Sequence, residues 1–238
     1  MFRIFSKAPQ KRIELFVRHC HFSPVSQHKG RFPNYSRKKC HDNLLATLDD
    51  SVNVTYLLDA FYPTEEEHFI RKYPIIEIKE GTETGSFLKL LDLLESLKLK
   101  PETIVYFLED DYLHRPDWPK ILREAFTIPG VDYATLYDHK DKYFSYPDLT
   151  SKIYHTESCH WRTTPSTTNT YAMKYKTLLE HMPIHREFSL NRKVSDDHGK
   201  FCKLREMGAT LISSIPGYST HCEPDLASPC YDWATQQC

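Results

Sequence analysis

Glycine is scarce in this chain: 7 of 238 residues, against 15 prolines. Flexible glycine-rich linkers are therefore excluded, and the connections between elements are expected to be stiff and ordered. Charge of one sign is also missing. Lys and Arg number 31 and Asp and Glu 32, for a net charge of −1, which gives no electrostatic reason for nucleic acid or an anionic membrane as the main partner. No segment approaches the roughly 18–20 consecutive apolar residues that span a bilayer. Met1 to Gln10 lacks the apolar centre of a signal peptide, so a cytosolic or membrane-peripheral protein is the expectation. There is no C-x-x-C pair. Cys20, Cys40, Cys159 and Cys222 each adjoin a histidine (His21, His41, His160 and His221), but without a C-x-x-C pair the zinc-finger pattern is incomplete. The odd total of 7 cysteines argues against a complete disulfide framework, and buried reduced thiols are expected instead. Internal repeats and low-complexity tracts are absent too. What remains is an ordinary globular composition, 40% apolar and 26% charged.

The order of elements is informative up to about residue 130. Arg12 to Cys20 reads as a strand, and His21 to Lys39 as a long loop rich in Ser, Pro, His and basic residues, of the kind that more often carries function than not. A short helix follows near Cys40 to Leu48, with Leu44, Leu45 and Leu48 on one face. Val52 to Leu58 is a second strand ending at Asp59, Thr64 to Glu67 opens a helix with a Thr cap, and Pro74 to Lys79 is a third strand. Gly81-Thr-Glu-Thr-Gly85-Ser86 then leads into an apolar helical stripe of Phe87, Leu90, Leu91, Leu94 and Leu97. Ile104 to Leu108 is a fourth strand, and Arg115 to Ala125 a helix with Asp117 as cap and Pro119 in its first turn. Strands alternating with helices predict a mostly parallel sheet covered by helices.

After Gly130 the chain becomes richer in strands. Val131 to Tyr137 is extended, and Lys152 to Trp161 with Ser166 to Met173 form a hairpin or two mixed strands. Lys174 to His181 is a helix stopped by Pro183. A further helix is capped by Ser195, and Leu211 to Ser214 is a last strand. The reading is one α/β domain over 1–238, with a nucleotide-type half at 1–130 and a β-rich half at 131–238.

Glu109, Asp110 and Asp111 stand out. An apolar run that ends in three consecutive carboxylates reads as a strand buried on both faces, with its acids where it leaves the sheet. In open α/β sheets ligands bind at that rim. Three adjacent acids repel one another unless a cation neutralises them, and a divalent ion carrying a phosphorylated ligand would do so. An acidic cap between strand and helix is the plainer alternative.

The segment Glu109-Asp-Asp-Tyr-Leu-His-Arg-Pro-Asp-Trp118 resembles the metal-binding motif of GT-A-fold (Rossmann-like) glycosyltransferases. It is similar above all to the Glu-Asp-Asp version in inverting N-acetylglucosaminyltransferases and to small glycosyltransferases of bacteria and large DNA viruses. The resemblance implies an inverting, metal-dependent glycosyltransferase that moves a hexosyl or deoxyhexosyl group from a UDP-sugar to a hydroxyl of a glycan. It implies that Asp111 contacts the metal while Glu109 and Asp110 lean toward ribose and donor sugar. The ends of the first two strands, Arg18 with His19 and Asp59, would recognise the nucleotide, although Arg18 and Asp59 would equally serve as rim charges paired with each other. Gly85 and Ser86 would lie near the donor. Asp196 and Asp197 match the acidic pair of inverting members, with Asp197 the base; two acids in a helix's first turn are the competing explanation. His221, after a Pro-Gly turn, resembles the C-terminal histidine that completes metal or diphosphate contacts, and imidazole suits Mn²⁺ better than Mg²⁺. Trp161, Arg162, Thr163 and Thr168 would face the acceptor, with a core role for Trp161 the alternative.

Two rivals remain. A sugar nucleotidyltransferase also places acids at a strand end, but usually opens with a glycine-rich loop after the first strand, and Arg18 to Pro33 holds only Gly30. A non-catalytic nucleotide- or glycan-binding protein of the same fold would bind UDP without turnover. A haloacid-dehalogenase-like phosphatase fits poorly, because its D-x-D nucleophile normally ends the first strand.

Overall fold

Three parallel crossovers bring four strands side by side in the order β3-β2-β1-β4, and the acids emerge from the last of them. These strands are β1 (Ile13–Cys20), β2 (Val52–Asp59), β3 (Ile75–Ile78) and β4 (Ile104–Glu109). The computed structural model describes residues 12–62 and 67–233; the expected helix start at Thr64 to Glu67 falls largely outside them. Connections run from β1 outward to β2 and β3, then return across β1 to β4. The direction in which strands are added therefore reverses between β1 and β4, which is the switch point where open α/β sheets form their ligand crevice. Register places Arg18 opposite Glu109 across β1 and β4, and Cys20 opposite Asp59 across β1 and β2.

The apolar run of β4 is buried on both faces, as expected. Ile104, Tyr106 and Leu108 pack with Trp118, Ile121 and Leu122 on one side of the sheet. Val105 and Phe107 pack with Phe87, Leu90, Leu91 and Leu94 on the other. The period of two along the strand divides its side chains between two cores. Helices α1 (Arg37–Thr47), α2 (Glu83–Ser96), α3 (Trp118–Ala125), α4 (Tyr175–Glu187) and α5 (Asp197–Glu206) cover the sheet.

Beyond β4 the sheet continues through β9 (Tyr171–Lys174), β6 (Tyr133–Thr135), β10 (Leu211–Ile215), β8 (His160–Thr163) and β7 (Ile153–His155), giving one mixed sheet of nine strands. This is a mixed α/β architecture with a Rossmann-like first half. β9 is antiparallel to both β4 and β6, and joins the two halves of the sheet. The hairpin lies within the first of the two expected segments, as β7 with β8; the second segment supplies β9 instead. A two-stranded antiparallel ladder joins β5 (Tyr112–His114) to β11 (Ser219–His221), with Tyr112 opposite His221. Among the described residues no helix is long and apolar enough to cross a membrane.

Several local expectations are corrected. α1 buries Cys40, His41, Asn43 and Leu44 rather than a leucine face. Asn43 explains why a polar residue is taken inside: its amide donates to the His114 carbonyl at 3.1 Å and accepts from the His114 N–H at 2.7 Å, docking α1 on β5. Asn43→Ala leaves both backbone groups buried and unpaired, so urea unfolding should show a loss of about 2–4 kcal/mol. α4 runs through Pro183, which lies on the solvent side where water can satisfy the carbonyl it frees. Asp117 stands at the N-cap position of α3 in the left-handed region (φ 65°) and makes no capping bond. The cap of α5 is Asp196, not Ser195: its Oδ1 accepts the Gly199 N–H at 2.9 Å.

Candidate active site

A cleft of about 480 Å³ opens over the carboxyl ends of β1, β2 and β4. Seven carboxylates line it (Asp59, Glu83, Glu109, Asp110, Asp111, Asp197 and Glu223), against four Lys or Arg side chains (Arg18, Lys29, Arg37 and Lys193). That excess of negative charge is what a bound cation would balance.

The three consecutive acids have different surroundings. Glu109 receives Arg18 Nη2 at 3.3 Å, but the closer partner of that guanidinium is Glu83, at 3.0 Å. With Arg18 shared, burial dominates and raises the Glu109 pKa to about 7, helped by the charges of Asp111, Glu83 and Asp197. Asp110 forms an ion pair with Arg37 Nε at 2.9 Å and accepts the Cys20 N–H at 3.1 Å, so it ties α1 to the end of β1. Burial and the adjacent Asp111 raise its pKa, Arg37 opposing. Asp111 Oδ2 is met by His221 Nε2 at 2.9 Å and Arg31 Nη1 at 3.0 Å. Burial acts upward there too, but the two partners outweigh it and hold the Asp111 carboxyl well below the usual range.

His221 reaches Asp111 because the β5–β11 ladder pairs the residue after Asp111 with His221 itself. Its other ring nitrogen, Nδ1, lies 3.1 Å from Glu223 Oε1, which Lys29 Nζ also approaches at 2.6 Å. In this structure Nε2 faces the Asp111 carboxylate, while Glu223 on Nδ1 is the kind of outer-shell partner that orients a ligating histidine. Asp111 and His221 are thus the residues that could hold a divalent cation, whose remaining ligands would come from phosphate and water. Among the described residues no group of three or more His, Cys, Asp or Glu side chains is placed to hold a metal ion. Cys40 and Cys222 lie buried with their sulfurs 3.6 Å apart.

Arg18 and Asp59 do not pair with each other. Arg18, 6% exposed, bonds Ser86 Oγ at 2.9 Å and the Glu83 carbonyl at 3.0 Å besides its two carboxylates. Asp59 accepts the N–H groups of Phe61 (3.1 Å), Glu80 (3.1 Å) and Gly81 (2.8 Å), pinning the turn that leads to α2. His19 lines the cleft but packs among His41, Tyr56, His68 and Phe69. Burial, then His68, His41 and Arg37, lowers its pKa well below the ordinary value, so the ring is neutral. Ser86 lines the cleft; Gly85 does not, and its N–H is taken by Thr82 Oγ1 at 3.0 Å.

Asp196 and Asp197 separate completely. Asp196 is the helix cap, with a side chain 38% exposed. Asp197 lines the cleft, bonded through Oδ1 to Lys200 Nζ at 3.0 Å. Burial raises its pKa, and Lys200 opposes that rise. Asp196→Ala should cost about 1 kcal/mol of stability, the usual worth of a cap, measured by thermal unfolding, while nucleotide binding stays unchanged.

In the β-rich half, Trp161 is fully buried in the core, which removes it as a sugar-stacking platform. Arg162 is spent on buried Asp138 at 2.7 Å. Thr163 lies outside the cleft, and Thr168 lines it, bonded to the Tyr112 hydroxyl at 2.8 Å. Sequence reading singled out neither Glu83 and Glu223 nor Lys29, Arg31, Arg37 and Lys200. The basic character of the 21–39 loop was the available signal for three of them.

No family model matches the sequence, and no curated protein does. Among solved structures, the chain is similar to CMP:2-keto-3-deoxy-manno-octonic acid synthetase complexed with CTP. The TM-score is 0.49 at 11% identity, covering 87% of this chain and 92% of that one. The likeness is one of chain path, and the side chains of the cleft must decide the chemistry.

Proposed function

We propose that this protein is a metal-dependent transferase of a nucleotide sugar, moving the sugar from a UDP-sugar to a glycan hydroxyl with inversion. The observation that carries the reading is the meeting of Asp111 and His221 at 2.9 Å, at the sheet's switch point, with Asp197 on the same cleft. Asp111 and His221 would hold a Mn²⁺ or Mg²⁺ ion, which would supply Lewis acidity toward a diphosphate leaving group. Lys29 and Arg37 on the same wall add positive charge for phosphate oxygens. Asp197 takes the proton of the attacking hydroxyl. Its burial-raised pKa brings it nearer to working pH, as a general base requires, while Asp111 is held ionised.

One observation favours a second reading, sugar nucleotidyl transfer. The loop after β1 brings Lys29, Arg31 and Arg37 against the acids, an arrangement that would also take a nucleoside triphosphate. A thermal-shift and turnover screen separates the two. UDP-sugars with and without Mn²⁺ should stabilise the protein and be hydrolysed or transferred. Pyrophosphate release from CTP or UTP with a free sugar acid or sugar phosphate would select the second reading. Binding of UDP with neither reaction would leave a binding protein.

A further inference from the structure

Lys200 is fully buried, an unusual place for an ammonium group. Its Nζ lies 5.0 Å from the ring centre of Phe87, 5.0 Å from that of Tyr171 and 5.5 Å from that of Phe201. It has two acceptors: Asn169 Oδ1 at 2.5 Å and Asp197 Oδ1 at 3.0 Å. The Asn169 amide in turn donates to Glu83 Oε1 at 2.8 Å, and Glu83 Oε2 accepts the Ser195 N–H at 2.8 Å. A closed chain of bonds thus runs from Glu83 through Asn169 and Lys200 to Asp197, and from Glu83 back to the backbone two residues before Asp197.

The ring faces attract the ammonium, but taking a charge out of water costs desolvation that an apolar side chain of similar length would avoid. The charge therefore needs a reason beyond packing, and the only carboxylate it bonds is the one that faces the cleft. Resting on the reading of Asp197 as base, we infer that Lys200 is a positioning residue: it fixes the Asp197 carboxylate toward the cleft and keeps it in the proton-accepting form at working pH. The other groups around the pair act less directly. Glu83 on α2 and Glu109 on β4 repel the Asp197 charge; Arg18 on β1 attracts it but is already engaged by both of them. His185 on α4 is bonded to the Tyr133 and Tyr171 hydroxyls, and burial and then Lys200 keep it neutral. Removing Lys200 thus leaves Asp197 beside Glu83 and Glu109 with the shared Arg18 to offset them.

The test uses Lys200→Met, Asp197→Asn and the double variant of the full chain. In Lys200→Met the acidic limb of the transfer rate against pH should move upward by about one unit or more. The rate loss should be largest at low pH and shrink as pH rises, with donor KM unchanged. A limb that stays in place while the rate falls equally at every pH would mean a merely structural lysine and overturn the proposal. Melting temperatures provide a readout independent of catalysis. The double variant should lose less than the sum of the single losses, because each single change strands the other's charge; additive losses would also overturn the proposal. Lys200→Gln, which keeps the hydrogen bonds without the charge, carries the same test if Lys200→Met does not fold. Should Asp197→Asn retain full transfer, the base reading itself falls and the inference with it. An inactive Asp197→Asn with an unmoved limb in Lys200→Met sinks only the inference.

Discussion

Asp111→Asn should abolish the divalent-cation dependence of nucleotide binding. Titration calorimetry of UDP with and without Mn²⁺ is the measurement. An outer-shell partner of a metal is already worth about 10- to 100-fold in affinity, so loss of the carboxylate itself should remove at least about 100-fold of any Mn²⁺ enhancement. Binding without Mn²⁺ should be no weaker than in the parent protein, because Arg31, Lys29 and Arg37 remain and one repelling charge has gone. This pairing of outcomes separates a ligand role from simple damage, which would weaken both. The neighbouring acids are not equivalent substitutes. Asp110 is held by Arg37 and the Cys20 N–H. Glu109 is already engaged by Arg18, and burial raises its pKa. An Asp111→Asn protein that kept the full Mn²⁺ enhancement would remove the metal from the proposed function.

What could be read from the sequence follows the range over which each signal acts. The β1 to β4 half was legible because alternation of strand and helix, apolar runs and a terminal acid cluster are local patterns. Asp111 and His221 were each nameable from motif, but they lie 110 residues apart and their meeting depends on the β5–β11 ladder. β9 was harder. Its four residues Tyr171–Lys174 carry no mark that they insert between β4 and β6 rather than close a hairpin. Pro183 misled because propensity is a prior that packing of Leu178, Met182 and His185 overrides. The cap of α5 shifted by one residue: the Ser195 hydroxyl is engaged by Ser189 and its N–H by Glu83, while Asp196 Oδ1 accepts the Gly199 N–H. That shift makes Asp196 the cap and leaves Asp197 facing the cleft. Glu83 was invisible for the same reason, since its partners Arg18, Asn169 and Ser195 are all distant in sequence.

Asp197→Asn should retain donor and metal binding and lose transfer, with kcat lower by about 100- to 10,000-fold, the range general-base catalysis contributes. The amide keeps the shape and can still accept from Lys200, but it cannot take a proton from the acceptor hydroxyl. Retained binding follows from position: Asp197 sits at the start of α5, while Asp111 and His221 belong to the β5–β11 corner. The pH profile of the parent protein gives a second check. Burial raises the Asp197 pKa, so the base form is lost as pH falls through a value above the ordinary carboxylate range. The acidic limb of transfer should therefore lie higher than for an exposed aspartate, and it should be absent from the residual activity of Asp197→Asn. Loss of binding equal to that of Asp111→Asn would place Asp197 on the donor side of the reaction. Undiminished transfer would mean that another group takes the proton. Glu109 is then the first to test, because its pKa of about 7 also suits a base and it faces the same cleft.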